Sequence, residues 1–295
     1  MAVTVIGTGS LGTAVARALL GAGREVHVWN RTQGRAAALV AEGAQLQPSV
    51  VDAVQAAPLS LLCLTDHAAV QDVLDELPGG WGEPRATVAF LSTGSPEEVR
   101  QSAALAGSRG LACLGVGVQA APGDIGTSQA LLLYAGERAT FELHQSDLDV
   151  LGPARWVGPT AAAAAELDLA LFGLWYDAQL GLLRAFEMAE RAGVPPAELA
   201  DLAETRLRFV TNGATATARE VVERDYPRGP ASLAEQVPVL SRLAESRREA
   251  HLGDGGLAHV AVLAEGLAAG PDAGHGLTAL LDERSRPRPG TSRVG

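Results

Sequence analysis

A chain of 295 residues is long enough for two domains of ordinary size, each burying its own core. Its 47% hydrophobic and 19% charged content excludes an extended disordered chain and suits a compact one. A formal net charge of −11 argues against a nucleic-acid partner, and all 23 basic residues are arginine, which removes every mechanism that needs a lysine acid, base or Schiff base.

The opening "MAVTVIGTG" has no basic n-region and no small-residue cleavage site, so no signal peptide is expected and a cytoplasmic location is the default. "VTVIG" reads as a first strand. Directly after it, "GTGSLG" places Gly7, Gly9 and Gly12 at G-x-G-x-x-G spacing, with Thr8, Ser10 and Leu11 between them. At a strand-to-helix turn such glycines let backbone N–H groups and a helix N-terminus approach a pyrophosphate.

A helix follows Leu11, and "EVHVW" is the second strand. At its end an NAD enzyme presents Asp or Glu to the ribose hydroxyls, whereas this chain has Asn30 and Arg31, then Thr32 and Arg35. A carboxylate would repel a 2′-phosphate, and these residues would surround it with charge-assisted donors, so the expected cofactor is NADP(H). Solvated charges at a helix start are the alternative.

Further strands are read at "LSLLCL" and "TVAFL", with helices after Gly34, His67 and Pro96. Their carboxyl ends carry Leu64, Thr65 and Asp66, then Ser92, Thr93 and Gly94. Small hydroxyls and free backbone N–H groups there suit the nicotinamide end, and helix capping by Asp66 or Ser95 is the plainer reading. "LACLGVGV" and "ALLLYAG" extend the sheet, and Cys63 and Cys113, in apolar runs without metal spacing, read as buried reduced thiols. No metal is expected.

The alternation of strands and helices over this part implies an α/β fold with a parallel sheet covered on both faces. Pro159 and Thr160 then start a long helix, and helical patterns dominate nearly to Asp282. Glu166, Asp168, Asp177, Arg184 and Glu187 interrupt that helix too often for a membrane span. The last stretch, "RSRPRPGTSRVG", is expected to be a flexible tail.

"GTGSLG", "VWNRT" with a basic residue three beyond the Thr, "LSTGSP", "APGDIGTSQALLLYAG", "DLALFGLWY", "RDYP" and "AGHG" stand in the order and spacing of a known family. The chain resembles, over nearly its whole length, the imine reductases, an NADPH-dependent branch of the β-hydroxyacid dehydrogenase superfamily. The resemblance implies a Rossmann doubly wound domain over 1–159, an interdomain helix over 160–193, and an all-α 6-phosphogluconate dehydrogenase-like domain over 194–283, with the tail at 284–295. It also implies a domain-swapped homodimer whose active sites are shared between subunits.

In the parent dehydrogenases a lysine on the long helix acts at the substrate oxygen, and counting back from "AERAG" aligns Asp168 with it. Hydride delivery to C=O builds negative charge that an ionised Asp would oppose. Delivery to an iminium carbon starts from a cation, which a carboxylate favours. As a proton donor near neutrality, Asp168 would need its ordinary pKa of ~3.9 raised by about three units, a cost of ~4 kcal/mol. Leu167, Leu171 and Phe172 would supply the apolar setting. The ionised, iminium-stabilising role is preferred, with proton donation second.

Family members carry a tyrosine at the place of Tyr176, which lies ~80° around and ~12 Å along a helix from Asp168 and leans back toward it. It is read as a polar contact to substrate or an auxiliary donor, against an interfacial core Tyr bonded to backbone. Trp175 and Phe172 are expected to wall the substrate pocket, and Gln119 and Ala120, with Val118 and Ala121, to border it. Asp177 is read as solvated or paired with an Arg, and His275 as a helix-end or turn residue. The function expected is NADPH-dependent reduction of imines, chiefly cyclic ones, to amines, with reductive amination as an extension. A ketone or β-hydroxyacid reductase, lacking its lysine, and a non-catalytic NADP(H)-binding sensor are the alternatives.

Overall fold

The aliphatic runs pair into one eight-stranded sheet in a computed structural model that describes residues 2–80 and 86–281. The strands are β1 (Ala2–Ile6), β2 (Glu25–Trp29), β3 (Gln45–Leu46), β4 (Leu59–Leu62), β5 (Thr87–Phe90), β6 (Ala112–Gln119), β7 (Leu131–Gly136) and β8 (Ala154–Gly158). Their order is β3-β2-β1-β4-β5-β6-β7-β8, and β1 lies between β2 and β4, where the winding reverses. That reversal opens a crevice at the carboxyl ends of the strands.

Helices α1 (Ser10–Gly21), α2 (Ala37–Ala41), α3 (Val50–Gln55), α4 (His67–Glu76), α5 (Pro96–Ser108) and α6 (Arg138–Leu148) cover the sheet. One face buries Val3, Val5 and Val116 with Val15 and Leu19 of α1. The other buries Ile6, Leu62 and Phe90 with Val70, Val99 and the first turns of the next helix, through Ala161 and Ala165. Cys63 is buried, its thiol pushed up to about 12, and Cys113 is half-buried, pushed up to about 11; neither is in a disulfide.

The expected parallel sheet is found at every pairing but one, where β7 runs antiparallel to β6. A parallel return needs a crossover of a dozen or more residues, usually helical. The link from Gln119 to Leu131 holds only a single short 3₁₀ turn, Pro122–Asp124. β8, reached through α6, is parallel to β7 again.

The long helix α7 (Ala161–Arg191) begins one residue after Thr160. The chain divides into two compact units, Met1–Leu174 and Trp175–Gly295. The second contains α8 (Pro196–Asn212), α9 (Ala214–Glu223), α10 (Leu233–Ser246) and α11 (Leu257–Ala268). Its core is small, built on Tyr226, Leu233, Ala264 and Ala279. The stretch 284–295 lies outside the described residues, among which no helix is long and apolar enough to cross a membrane.

Candidate active site

Backbone geometry builds the first part of the site. Gly7 adopts φ +94°, where an L side chain is strained, and a Cβ there would clash with the Cys63 carbonyl. A Cβ on Gly12 would run into the Gly7 carbonyl. Gly9 differs: nothing lies within 4 Å of the place its Cβ would occupy. The space beside it belongs to a cleft of about 770 Å³ lined by Thr8, Gly9, Ser10, Arg17, Arg35 and Pro122, among others.

Gly9 is also the N-cap of α1, which receives no side-chain cap and has no acidic residue in its first turn. The helix therefore turns free N–H groups and a positive dipole end into the cleft, a setting for an anion. Thr8 is used differently, since its N–H donates to Asn30 Oδ1 at 3.1 Å. Asn30 Nδ2 donates in turn to the Thr32 carbonyl at 2.9 Å. Asn30 thus ties the fingerprint turn to the end of β2 and keeps that end free of a carboxylate.

Arg31, Thr32 and Arg35 are exposed, and among the described residues neither guanidinium has a hydrogen-bonding or ionic partner. Arg17, on the same cleft, is held by Glu42 at 2.6 Å. Two unpaired guanidinium groups and a neutral Asn30 fit a ribose 2′-phosphate. Together with the open face of Gly9 and the uncapped α1, they fit NADP(H).

A smaller cavity of about 190 Å³ lies against Leu11, Leu91, Ser92, Thr93, Val116, Val118, Ala120 and Pro122. Here the expected strand-end hydroxyls separate in role. Ser92 is buried and its hydroxyl donates to the Leu64 carbonyl at 3.0 Å, joining the ends of β4 and β5. Thr65 and Thr93 are exposed. Asp66 caps α4 through Ala69 N–H, and Ser95 caps α5 in a reciprocal box with Glu98, so both follow the plainer reading.

Asp168 is only 4% exposed. The alternation of β6 places Gly115, Gly117 and Gln119 on the face toward α7, and Val116 and Val118 on the other. A Cβ on Gly115 would clash with the Ala161 carbonyl, and one on Gly117 would sit 2.9 Å from both Cβ and Oδ1 of Asp168. Side-chain-free strand positions therefore let α7 lie directly on β6. Gln119 Nε2 donates to Asp168 Oδ1 at 2.8 Å and reaches the Asp168 carbonyl at 3.2 Å.

Burial raises the pKa of the Asp168 carboxyl above the usual range, and the Gln119 hydrogen bond pulls partly the other way. The burial comes from β6 and the small residues of α7; Leu167 is 38% exposed, while Leu171 and Phe172 are half-buried. Gln119, the last residue of β6, and Ala120, the first beyond it, were both expected at the substrate and face different ways. Ala120 faces the small cavity and Gln119 faces Asp168.

Tyr176 and Trp175 begin the second unit, with 56% and 55% exposure and their rings edge-to-face at 4.8 Å. The Tyr176 hydroxyl has no hydrogen-bond partner among the described residues. Asp177 is exposed. His275 ends a 3₁₀ turn, and its carbonyl accepts from Leu233 N–H at 2.7 Å. The Gln119–Asp168 bond and the role of Gly117 escaped the sequence reading; the small residues alternating in "LGVGVQ" were the available signal.

A family model for the NAD binding domain of 6-phosphogluconate dehydrogenase matches residues 2–158, and one for the NADPH-dependent reductive aminase-like C-terminal domain matches residues 160–285. A reductive aminase from Aspergillus terreus, solved with NADPH and ethyl levulinate, is 31% identical; the alignment covers 95% of this chain and 98% of that one, with a TM-score of 0.82. The chain belongs to the imine reductase family. Another member, an imine reductase from Aspergillus terreus solved with NADPH4 and dibenz[c,e]azepine, aligns with a TM-score of 0.85 at 31% identity, over 95% of this chain and 98% of that one. An NADPH-dependent reductive aminase of Aspergillus oryzae is 28% identical over 282 residues, 94% of this imine reductase family chain and 95% of that protein.

Proposed function

We propose that the protein is an NADPH-dependent reductase of imines, cyclic imines foremost, with reductive amination of carbonyl and amine pairs as an extension. The observation that carries this reading is a buried, uncharged-partner carboxyl, Asp168, at the end of β6 in a chain whose relatives are solved with NADPH, one of them with ethyl levulinate and another with dibenz[c,e]azepine. When bound, NADPH supplies the hydride to the C=N carbon.

The chain's own residues do the rest. The α1 N-terminus and the face of Gly9 receive the pyrophosphate, while Arg31, Thr32 and Arg35 receive the 2′-phosphate. The two roles weighed for Asp168 become successive states of one group. In its protonated form, which burial favours, the carboxyl passes its proton to the imine nitrogen. The carboxylate left behind then lies beside an iminium cation, which offsets the cost of its burial. A carbonyl reductase like the parent dehydrogenases would set a lysine beside the developing alkoxide, and the chain has none.

We also infer a homodimer. Leu202, Phe209 and Val210 form an i, i+7, i+8 stripe on α8 with 65%, 56% and 68% exposure, and Val222 on α9 is 83% exposed. A second copy is the occupant that this family membership supports. The free thiols Cys63 and Cys113 suit the reducing cytoplasm. Tyr176 is proposed as an auxiliary donor, and Trp175, Phe172 and Ala120 as substrate contacts.

The deciding experiment follows NADPH absorbance with a small cyclic imine, a keto acid and no substrate, for the wild type and Asp168→Asn. Oxidation with the imine alone, reduced at least a hundredfold in the variant, is expected. Unchanged imine turnover by the variant would remove Asp168 from the chemistry.

A further inference from the structure

We propose that Gln119 is the positioning residue of Asp168, holding carboxyl oxygen Oδ1 and leaving Oδ2 as the atom that carries and releases the proton. The proposal rests on the reading of Asp168 as the acid of imine reduction. It begins from the donors of one amide. Gln119 Nε2 has two N–H groups, and both point at the same residue: Oδ1 of Asp168 at 2.8 Å and its backbone carbonyl at 3.2 Å.

Those two neighbours also settle the amide's orientation, because a backbone carbonyl only accepts and so must face the nitrogen. Gln119 therefore has no donor left for a substrate. Because both anchors lie on one residue, the amide fixes the side-chain torsion of Asp168 as well as its position. A bond donated to Oδ1 also determines where a proton sits. In the acid form Oδ1 must be the carbonyl-type acceptor, so the hydroxyl is Oδ2, which has no hydrogen-bond partner among the described residues. In the transfer the Oδ2–H bond breaks and an N–H bond forms on the imine nitrogen, leaving the carboxylate ionised.

Packing enforces the same arrangement. Gly117 gives the Asp168 side chain its space, since a Cβ there would lie 2.9 Å from Oδ1. Among the described residues no other charge shifts the carboxyl. β6 offers only Cys113, at its far end, and Glu166 on α7 faces Arg100 of α5 at 3.7 Å. Among the described residues the Gln119 amide is the group of the chain that stabilises the ionised form after the proton has left, because a bond donated to a charged acceptor is the stronger one.

The test uses the full chain with carbon-13 in the aspartate carboxyls, the Asp168 resonance being identified by its absence in Asp168→Asn. Gln119→Met keeps the volume and removes both donors. Its Asp168 titration midpoint is expected to rise by about one pH unit. The descending limb of kcat against pH, with a cyclic imine, is expected to move upward with it. Gln119→Asn, whose amide stops one methylene short, is expected to behave alike, and serves if Gln119→Met does not fold. A midpoint and limb that stay at their wild-type positions in a folded variant would overturn the proposal. Should the wild type reduce no imine, the functional reading fails, while the carboxyl titration still reports whether Gln119 governs Asp168.

Discussion

Adding one methyl group at Gly117 tests the apposition on which the site depends. A Cβ there would lie 2.9 Å from Asp168 Cβ, 2.9 Å from Oδ1 and 3.2 Å from the Ala164 carbonyl oxygen. Carbon atoms pack at about 3.5–4.0 Å, so α7 must retreat from β6 by roughly 0.6–1 Å near Asp168. Overpacking of this kind costs about 1–3 kcal/mol, and a Tm loss of roughly 2–4 °C for each kcal/mol is expected. The larger effect is on function. The same retreat takes the 2.8 Å Gln119 bond beyond hydrogen-bond length, and a misplacement of about 1 Å can reduce turnover by about 100-fold. Gly117→Ala is therefore expected to lose about two orders of magnitude in kcat for a cyclic imine while binding NADPH as the wild type does, measured by single-turnover absorbance and by fluorescence titration. A variant with wild-type kcat and Tm would show that α7 is not held against β6 at this point.

Three further outcomes follow from the same geometry. Arg31→Ala with Arg35→Ala should weaken NADPH binding by roughly 10–100-fold and leave NADH binding nearly unchanged, as read by fluorescence titration, since only the 2′-phosphate loses its charge-assisted donors. For Asp168, a folded-state pKa above the unfolded one means that the folded chain holds the proton more tightly, so stability falls as pH rises from the ordinary carboxylate range through the raised value. Urea unfolding of Asp168→Asn should show a flatter dependence over that window, and parallel curves would contradict the burial assigned to this carboxyl. Glu in place of both Phe209 and Val222 should shift the sedimenting species from dimer to monomer; a wild type already monomeric at micromolar concentration would contradict the proposed pairing.

Much of the nucleotide half was legible because its physics is local. A strand of alternating β-branched residues, a glycine turn and a helix start are each set by neighbours a few positions apart. The missing carboxylate at the end of β2 was legible for the same reason, since Asn30, Arg31 and Arg35 declare their charge by residue type. Elements with weak local signals escaped: β3 has two residues, α3 has six, and α6 buries His144 and Asp147 inside an otherwise polar segment. The antiparallel turn of β7 was hidden too, because direction depends on what fills a connection.

By itself the sequence determined that a glycine turn follows the first strand, that the chain has no lysine to offer a carbonyl oxygen, and that an aspartate stands on the long helix. The tertiary structure alone decided what surrounds that aspartate. Gln119 meets Asp168 across 49 positions of chain, Ser92 joins Leu64 across 28, and Asn30 holds Thr8 across 22. A hydrogen bond between distant residues leaves no periodic trace in either segment, and burial, which raises the Asp168 pKa, exists only once β6 and α7 have come together.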